Sequence, residues 1–367
     1  MIEKQYEEMA PCLQSGPITV SANAFVESAL SLGNTRFASI MRALCVPYIF
    51  GELEKIFASG TDPVEGLNRI LQELTNFLKT APQAQFSALV ASGSTNQEET
   101  ISGSVQDIEK ITGSHYGNLF RNFSDKSYWQ EPTQLLKTRL ERNGINLNRL
   151  ADCLVLDAGC GGGRYTVAWK QLGAASVIGV DISDIGIADA EKRVEIAGIR
   201  GVTFRAENVL SLSFPDNTFD VVFSNGVLHH STDWKQGIRE LVRVLRPGGW
   251  GWLYLIENPG GLFWDSIEIL RVVMRGEDRN FAQQVLALLG IPANRVFYML
   301  DHVMVPINIR LTTAEIEDAL QAAGAVKIRR LERGVDFDRV EQLFQRVPYA
   351  SLKFGIGENR YVFSKPV

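Results

Sequence analysis

The chain has 367 residues, which is enough for two domains of ordinary size. Its hydrophobic share of 45% and charged share of 22% are typical of a folded globular protein, and its net charge of −5 argues against a nucleic-acid or anionic-membrane surface as the main partner. The 4 cysteines form no CxxC pair and no Cys/His cluster, which excludes a disulfide framework and a structural zinc site.

The N-terminal part of the chain is predicted to be helical. Apolar residues such as Phe37, Met41 and Leu44 recur at helical spacing, and a polar stretch at 92–100 is expected to be a linker or surface loop. The apolar stretch 44–50 is far shorter than the roughly 20 residues that span a bilayer. The first residues also lack the pattern of a signal peptide, so we expect a cytoplasmic protein without membrane insertion.

From about residue 144 onward, short β-branched runs alternate with amphipathic helices. Thr312 and Glu315 form a capping-box pattern before the last of these helices. This alternation predicts an α/β fold with a parallel sheet covered on both faces, and ligands then bind at the carboxyl ends of the strands. The predicted strands are 154–157, 176–180, 202–205, 221–224, 250–256, 326–330 and 361–364, and the helices are 164–172, 187–196, 234–245 and 313–323.

A glycine-rich loop, DAGCGGG at 157–163, follows the first predicted strand and opens a helix. Consecutive glycines remove Cβ atoms and allow positive φ, so a ligand can lie against bare backbone. Dinucleotides and S-adenosylmethionine both bind to such loops. Arg164 occupies the third glycine position of the dinucleotide pattern, and Asp157 places a negative charge where a pyrophosphate would bind. A sulfonium amino acid, with its positive amino group, suits this acidic loop better.

Asp181 ends the second predicted strand, where its two carboxylate oxygens can accept both ribose hydroxyls of a nucleoside. The neighbouring Ile182 can pack on an adenine face. With the segments ENV at 207–209, VVFSNGVLHH at 221–230 and LRPGG at 245–249, the chain resembles class I S-adenosylmethionine-dependent methyltransferases from about residue 154 to residue 249. The branch it resembles is that of the ubiquinone- and menaquinone-biosynthesis methyltransferases.

This resemblance implies a Rossmann-like fold with a seven-stranded, mostly parallel sheet and helices on both faces. The helical periodicity predicts a separate N-terminal region at 1–110, which a minimal methyltransferase fold does not need. We expect the methyltransferase domain at 111–367, with a helical lid insertion at about 260–309, where relatives cover the substrate. Helical additions of this kind serve substrate recruitment or homodimer formation.

The resemblance also assigns cofactor contacts. Asp157 reaches the amino group, Asp181 holds the ribose, and Asn208, where the family usually has Asp, accepts from the adenine amino group. Backbone near Ser224 and Asn225 borders the sulfonium. The full set implied for S-adenosyl-L-methionine, and for its product S-adenosyl-L-homocysteine, is Asp157, Gly159, Gly161, Gly163, Asp181, Ile182, Asn208, Val209, Ser224 and Asn225.

Methyl transfer is an in-line displacement that needs a base only where the acceptor starts protonated. His229 and His230 lie just beyond the fourth strand, where an acceptor should arrive, so each is a candidate base. The alternative is that one or both only form hydrogen bonds within their loop. Glu257 is a candidate for the acceptor pocket or a solvated strand-end carboxylate. His302 is a further candidate base and Tyr116 a candidate lid residue. No residue spacing predicts a metal site.

We therefore expect a methyltransferase that acts on an O, N or C nucleophile of a small-molecule metabolite, in specialised or quinone- and lipid-like metabolism. The alternative is a methyltransferase for a peptide or protein recruited by the N-terminal helices. A cofactor-binding protein without activity is a third alternative. The sequence predicts no nucleic-acid partner.

Overall fold

The computed structural model describes residues 11–80 and 126–367. The predicted loop at 92–100 and Tyr116 lie outside the described residues. The described α-helices are α1 (Pro11–Gln14), α2 (Thr19–Leu30), α3 (Arg36–Ser59), α4 (Pro63–Thr80), α5 (Glu131–Arg142), α6 (Arg164–Gln171), α7 (Asp184–Ile196), α8 (Trp234–Val244), α9 (Gly261–Val273), α10 (Arg279–Leu288), α11 (Ala293–Met304), α12 (Thr313–Ala322), α13 (Arg339–Phe344) and α14 (Ala350–Phe354).

Shorter helical elements are a π-helical turn at Lys126–Gln130 and 3₁₀ turns at Leu147–Arg149 and Leu228–His230.

The strands follow the predicted order along the chain. The strands are β1 (Leu154–Ala158), β2 (Ser176–Asp181), β3 (Val202–Ala206), β4 (Phe219–Asn225), β5 (Leu245–Leu255), β6 (Val326–Arg330) and β7 (Asn359–Ser364).

The described residues divide into two compact units. The helical unit contains residues 11–80, 260–305 and 346–355, and the sheet unit contains residues 126–259, 306–345 and 356–367. The segment that the sequence assigned to a lid insertion is therefore grouped with the N-terminal helices. Its action as a lid, and the predicted domain boundaries, stay predictions.

Helix α3 is the centre of the helical unit. Thr35 caps its first turn by accepting from the Ala38 N–H, and Gly60 ends it in the left-handed conformation. Buried residues lie on every side of this helix, so it is surrounded by other elements rather than lying on a surface. Phe50, from the predicted apolar stretch, contacts the rings of Tyr298 and His302 in the 260–305 segment.

The sheet unit holds one seven-stranded sheet in the order β3-β2-β1-β4-β5-β7-β6. Neighbouring strands among β1 to β5 pair in parallel, whereas β7 runs antiparallel to both β5 and β6. Alternate residues of β1 belong to different cores: Leu156 packs in the cluster that includes α8 and α12, and Val155 in the cluster that includes α5 and α6. This arrangement confirms the predicted Rossmann-like sheet with helices on both faces.

Most predicted boundaries are correct to within three residues. Strand β5 is longer than predicted because Leu245 already pairs with Phe219, before a register shift that precedes the pairing of Trp250 with Val221. The capping box at Thr312 and Glu315 is confirmed, with both of its hydrogen bonds present. No helix among the described residues has the length and apolar character needed to cross a membrane.

Candidate cofactor and acceptor site

The glycine loop between β1 and α6 has a backbone shape that only glycine adopts easily. Gly159, Gly161 and Gly163 have φ values of 85°, 53° and 77°. A Cβ atom on Gly159 would lie 2.3 Å from a methyl carbon of Val227, and one on Gly163 would lie 2.6 Å from the Phe204 ring. At Gly159 and Gly163 the loop is therefore packed closely against Val227 and Phe204. A ligand on the opposite side of the loop would contact backbone at these positions.

Asp157 lies at the start of this loop, at the register position opposite Gly179 of β2 and Phe223 of β4. Its side chain is buried, and its Oδ2 accepts a hydrogen bond from the Thr166 hydroxyl at 2.6 Å. Burial raises the pKa of Asp157 to about 7; the Thr166 hydrogen bond opposes this shift and the nearby Asp181 charge adds to it. A cationic group beside this carboxyl group would favour its ionised form.

Asp181 lies at the carboxyl end of β2 and binds the loop from the other side. Its Oδ2 accepts from the Gly161 N–H at 2.8 Å, and its Oδ1 accepts from the Ser183 N–H at 2.9 Å. Burial raises the pKa of Asp181, and these backbone N–H groups oppose the shift. The sequence did not predict these bonds, yet a carboxylate oxygen has a further lone-pair site for a ribose hydroxyl.

Tyr128, in the π-helical turn before α5, also contacts the glycine loop. Its hydroxyl donates to the Gly162 carbonyl, and its fully buried ring lies beneath the Arg193 guanidinium at 4.3 Å. Burial raises the pKa of Tyr128, so the hydroxyl stays a donor at neutral pH. Tyr128 therefore holds the carbonyl side of the glycine loop while Asp181 holds an N–H of the same loop.

The predicted adenine contacts lie beyond β2 and β3. Ile182 is 37% exposed, whereas Val209 is buried. The Asn208 Oδ1 accepts from the Leu210 N–H at 2.9 Å, which closes a turn at the end of β3. This bond uses one of the two lone pairs on the amide oxygen that the sequence assigned to adenine recognition.

At the end of β4 the two predicted sulfonium neighbours differ in their surroundings. Ser224 is completely buried, and its hydroxyl has no hydrogen-bond partner among the described residues. The Asn225 Oδ1 accepts from the Trp252 Nε1–H at 3.1 Å, so its side chain is directed along the sheet. Backbone at the tip of β4 is thus the part left to border a ligand.

The two histidines after β4 form a contacting pair. The ring centroids of His229 and His230 are 4.1 Å apart, and the His229 ring lies edge-on to Tyr254 at 5.9 Å. His229 is buried, with 2% of its surface exposed, whereas His230 is partly exposed. The His230 Nδ1 lies 2.7 Å from the Ile307 carbonyl oxygen.

The expectation that Glu257 could be a solvated strand-end carboxylate is wrong. Glu257 is 0% exposed, and its Oε1 accepts from the Arg339 Nε–H at 2.8 Å. Its backbone pairs with Leu311, which brings the 306–312 segment alongside the end of β5. A buried carboxylate of this kind is retained because a guanidinium compensates its charge.

His302 lies in the helical unit, where its Nδ1 is 2.8 Å from the Tyr298 carbonyl oxygen and its ring contacts Trp264 and Phe263. Among the described residues, no group of three or more His, Cys, Asp or Glu side chains could hold a metal ion.

The residues present fit S-adenosylmethionine. A glycine-rich cradle lies between two carboxyl groups: Asp157 has the charge to meet an amino group, and Asp181 has the acceptor atoms to meet a ribose. Residues 156–253 match the family model described as a methyltransferase domain. This segment belongs to the class I S-adenosylmethionine-dependent methyltransferase superfamily.

Curated relatives share this methyltransferase segment. The 27-O-demethylrifamycin SV methyltransferase of Amycolatopsis mediterranei is 34% identical over 41% of this chain and 57% of its own length. The demethylmenaquinone methyltransferase of Anoxybacillus flavithermus is 36% identical over 39% of this chain and 57% of its own length. The arsenite methyltransferase of Aquipseudomonas alcaligenes is 38% identical over 27% of this chain and 32% of its own length.

The alignments with these relatives therefore span between 32% and 57% of the relatives' own lengths. The three names describe chemically different acceptors, so the shared segment does not fix the acceptor.

Proposed function

We propose that this protein is a methyltransferase that uses S-adenosylmethionine to methylate a small-molecule metabolite. The observation that carries the proposal is the closely packed glycine cradle between Asp157 and Asp181. Asp181 also accepts from the Gly161 N–H of the turn, whereas the hydrogen bond of the Asp157 side chain is to the Thr166 hydroxyl of α6. Burial raises the pKa of both carboxyl groups.

The charge pattern of this rim matches the proposed ligand. Asp157 in its ionised form would pair with the positive amino group, and Asp181 would accept from the ribose hydroxyls with the lone pairs its backbone partners leave over. The exposed side chain of Ile182 would pack on the adenine face. When bound, S-adenosylmethionine supplies a methyl carbon attached to a positively charged leaving group.

The other role of this chain is to position the acceptor relative to the methyl group. Holding an acceptor atom in line with the methyl carbon and its leaving group is worth roughly 7–11 kcal/mol of the barrier. Backbone at the tip of β4 and the histidine pair after it are the proposed neighbours of that acceptor. The relatives act on metabolites or on arsenite by name, which supports a small acceptor rather than a protein.

The helical unit is the proposed site of acceptor recruitment or of homodimer formation. Helix α10 of this unit ends at Leu288, and the apolar side chains of Leu288 and Leu289 are 88% and 52% exposed. Light scattering on the full chain measures its mass in solution and distinguishes the two roles. A monomeric mass would exclude homodimer formation and leave acceptor recruitment as the role of the helical unit.

The test of the proposed function is cofactor binding. In Asp181→Ala, S-adenosylhomocysteine should bind at least about 100-fold more weakly by calorimetry, because both a ligand contact and the Gly161 anchor are lost. Asp184→Ala is the matched control, since Asp184 lies exposed in the first turn of α7 and should leave the affinity unchanged. Unchanged affinity in Asp181→Ala, or wild-type binding of NAD instead, contradicts the proposal.

A further inference from the structure

A short turn before α5 contacts the glycine loop through one side chain. Tyr128 of the π-helical turn Lys126–Gln130 is 0% exposed, and its hydroxyl donates to the Gly162 carbonyl. Among the described residues, no backbone N–H group donates to that carbonyl. Single π-helical turns occur frequently at functional sites. The Tyr128 hydroxyl is therefore the group that holds this part of the loop.

The preceding part of the loop is held by β2. The Gly159 and Cys160 N–H groups both donate to the Val180 carbonyl at 2.8 Å. The Gly161 N–H donates to the Asp181 carboxylate, at the end of the same strand, also at 2.8 Å. At the next residue the contact changes from β2 to a turn outside the β1–α6–β2 segment. Removal of the tyrosine hydroxyl would release the loop there and leave the bonds to β2 in place.

The Tyr128 ring contacts α7, the helix that follows β2. The Arg193 guanidinium of α7 lies 4.3 Å from the centre of this ring, and its Nε–H donates to the Asp189 carboxylate at 2.8 Å. A cation over an aromatic ring is attracted to it, and the ion pair along the helix orients the guanidinium. The ring also packs in a buried cluster with three apolar residues of this helix, Ile187, Ala190 and Val194. Tyr128 therefore contacts α7 through both charge and packing.

The glycine loop and α7 are also in close contact with each other. A Cβ atom on Gly186, in the first turn of α7, would lie 3.2 Å from the Gly161 carbonyl oxygen. The residues at 181–183 join β2 to α7 and include the proposed ribose contact. The loop and this segment are thus two walls of the proposed cofactor site. Because Tyr128 contacts both the loop and α7, it fixes the distance between these walls.

We propose that Tyr128 is a positioning residue for the cofactor, which holds the glycine loop with its hydroxyl and α7 with its ring at the separation that S-adenosylmethionine requires. This inference rests on the proposed function. Tyr128 acts through the loop and the helix. Without the hydroxyl bond the loop occupies additional conformations, and the apparent dissociation constant rises as the fraction of protein in the competent conformation falls.

Tyr128→Phe tests the hydroxyl alone, because it keeps the ring beside Arg193. In this variant S-adenosylhomocysteine should bind about threefold to tenfold more weakly by calorimetry, which corresponds to the net contribution of one neutral hydrogen bond. Tyr165→Phe is the matched control. The Tyr165 hydroxyl accepts from Arg139 at 3.0 Å and its ring contacts Phe223, so the control also loses one hydroxyl bond, but none to the loop. It should keep wild-type affinity.

Hydrogen exchange separates positioning from a purely structural role. In ligand-free Tyr128→Phe, amide exchange measured by mass spectrometry should be faster at 157–166 and at 184–190 and unchanged in β4 and β5. Saturating S-adenosylhomocysteine should restore wild-type exchange in both segments, because the ligand then holds the loop and the helix. A side chain that only stabilised the fold would instead raise exchange throughout the sheet unit and leave the affinity of the folded protein unchanged.

Arg193→Gln tests the ring contact and also serves if Tyr128→Phe fails to fold. Loss of the cation over the ring should weaken S-adenosylhomocysteine binding about twofold to fivefold. Arg333→Gln is the control for this variant. Arg333 likewise pairs with a carboxylate, that of Glu341, and lies over a ring, that of Phe344 at 3.9 Å. The control should bind as the wild type does.

The outcomes separate the two proposals. Failure of S-adenosylhomocysteine to bind to the wild type would refute the proposed function. Wild-type affinity in Tyr128→Phe, or in Arg193→Gln where the first variant does not fold, would refute only the role of Tyr128. Weaker binding with faster exchange throughout the sheet unit would also refute that role, since the loss would follow from general destabilisation. Weaker binding with faster exchange confined to the two segments supports it.

Discussion

Asp157 and Asp181 end neighbouring strands, yet each is adapted to a different task. Asp157 has one hydroxyl partner and is buried, so its carboxyl group is close to half ionised at neutral pH. Asp181 accepts hydrogen bonds from the Gly161 and Ser183 N–H groups, which stabilise its charge. A cation is therefore best received by Asp157, and neutral hydroxyl groups by Asp181.

Binding of S-adenosylhomocysteine should depend on pH through Asp157. Since the pKa of this group is raised to about 7, the carboxyl group is mostly neutral one unit below and mostly ionised one unit above. The affinity measured by calorimetry should rise about tenfold between about pH 6 and about pH 8. In Asp157→Asn the affinity should be low and nearly constant over this range, and a persisting tenfold rise would assign the effect to another group.

Asp157 should also make the stability of the ligand-free protein depend on pH. Its contribution should decrease as pH rises, whereas ligand affinity increases. The folded state binds the Asp157 proton more tightly than the unfolded chain, because its pKa is raised from 3.8. Its contribution to the free energy of unfolding is therefore complete below about pH 4 and is lost as pH rises through about 7. Urea unfolding of wild type and Asp157→Asn at both ends of this range measures the difference.

At the scale of elements, the turn from β1 to α6 depends on glycine at several positions. Its three glycines have positive φ, and a Cβ on Gly159 has no room beside Val227. The sequence DAGCGGG predicted the turn and its openness to a ligand. It did not show that Val227, from the loop after β4, fills the space beneath.

Gly159→Ala should therefore lower the free energy of unfolding by about 2–4 kcal/mol, from positive φ and from overpacking together. Gly198→Ala is the matched control, because Gly198 also has positive φ, at 64°, but has nothing within 4 Å of its Cβ position. That variant should lose only about 1–2 kcal/mol. Equal losses in the two variants, measured by urea unfolding, would show that contact with Val227 is unimportant.

At the scale of the whole molecule, the helical unit joins segments that lie far apart in the chain. Arg42 of α3 pairs with Glu277, donates to the Ala29 carbonyl at 3.1 Å and donates to the Gly33 carbonyl at 2.7 Å. Both charged side chains are nearly buried, at 6% and 9% exposure. Deleting the N-terminal helices would expose this core, so truncation is not a clean test of their role.

Arg42→Ala should destabilise the protein by about 3–5 kcal/mol, because it leaves the Glu277 carboxylate buried without a partner. The double variant Arg42→Ala/Glu277→Ala should lose less than the sum of the single losses. The exposed pair of Lys55 and Glu52 on the same helix is the control, and its removal should cost about 1 kcal/mol or less. Additive losses for the buried pair, measured by thermal unfolding, would mean that the two side chains do not interact.

The amino-acid sequence by itself determined the order of strands and helices, the glycine turn, the carboxylates at both of its sides and the capping box at Thr312. Each of these features depends on residues within a few positions of one another, where side-chain periodicity and permitted φ values decide the backbone. The parallel direction of β1 to β5 follows from the general rules for alternating strands and helices, whereas the antiparallel pairing of β7 does not.

Only the tertiary structure decided which distant groups meet. His230 and Ile307 are separated by 77 positions, Glu257 and Arg339 by 82, and Arg42 and Glu277 by 235. Such contacts depend on the path of the chain between the two residues, and local sequence patterns do not predict that path. For this reason the sequence named His229, His230 and Glu257 only as candidates, and their separate surroundings became visible only in the folded protein.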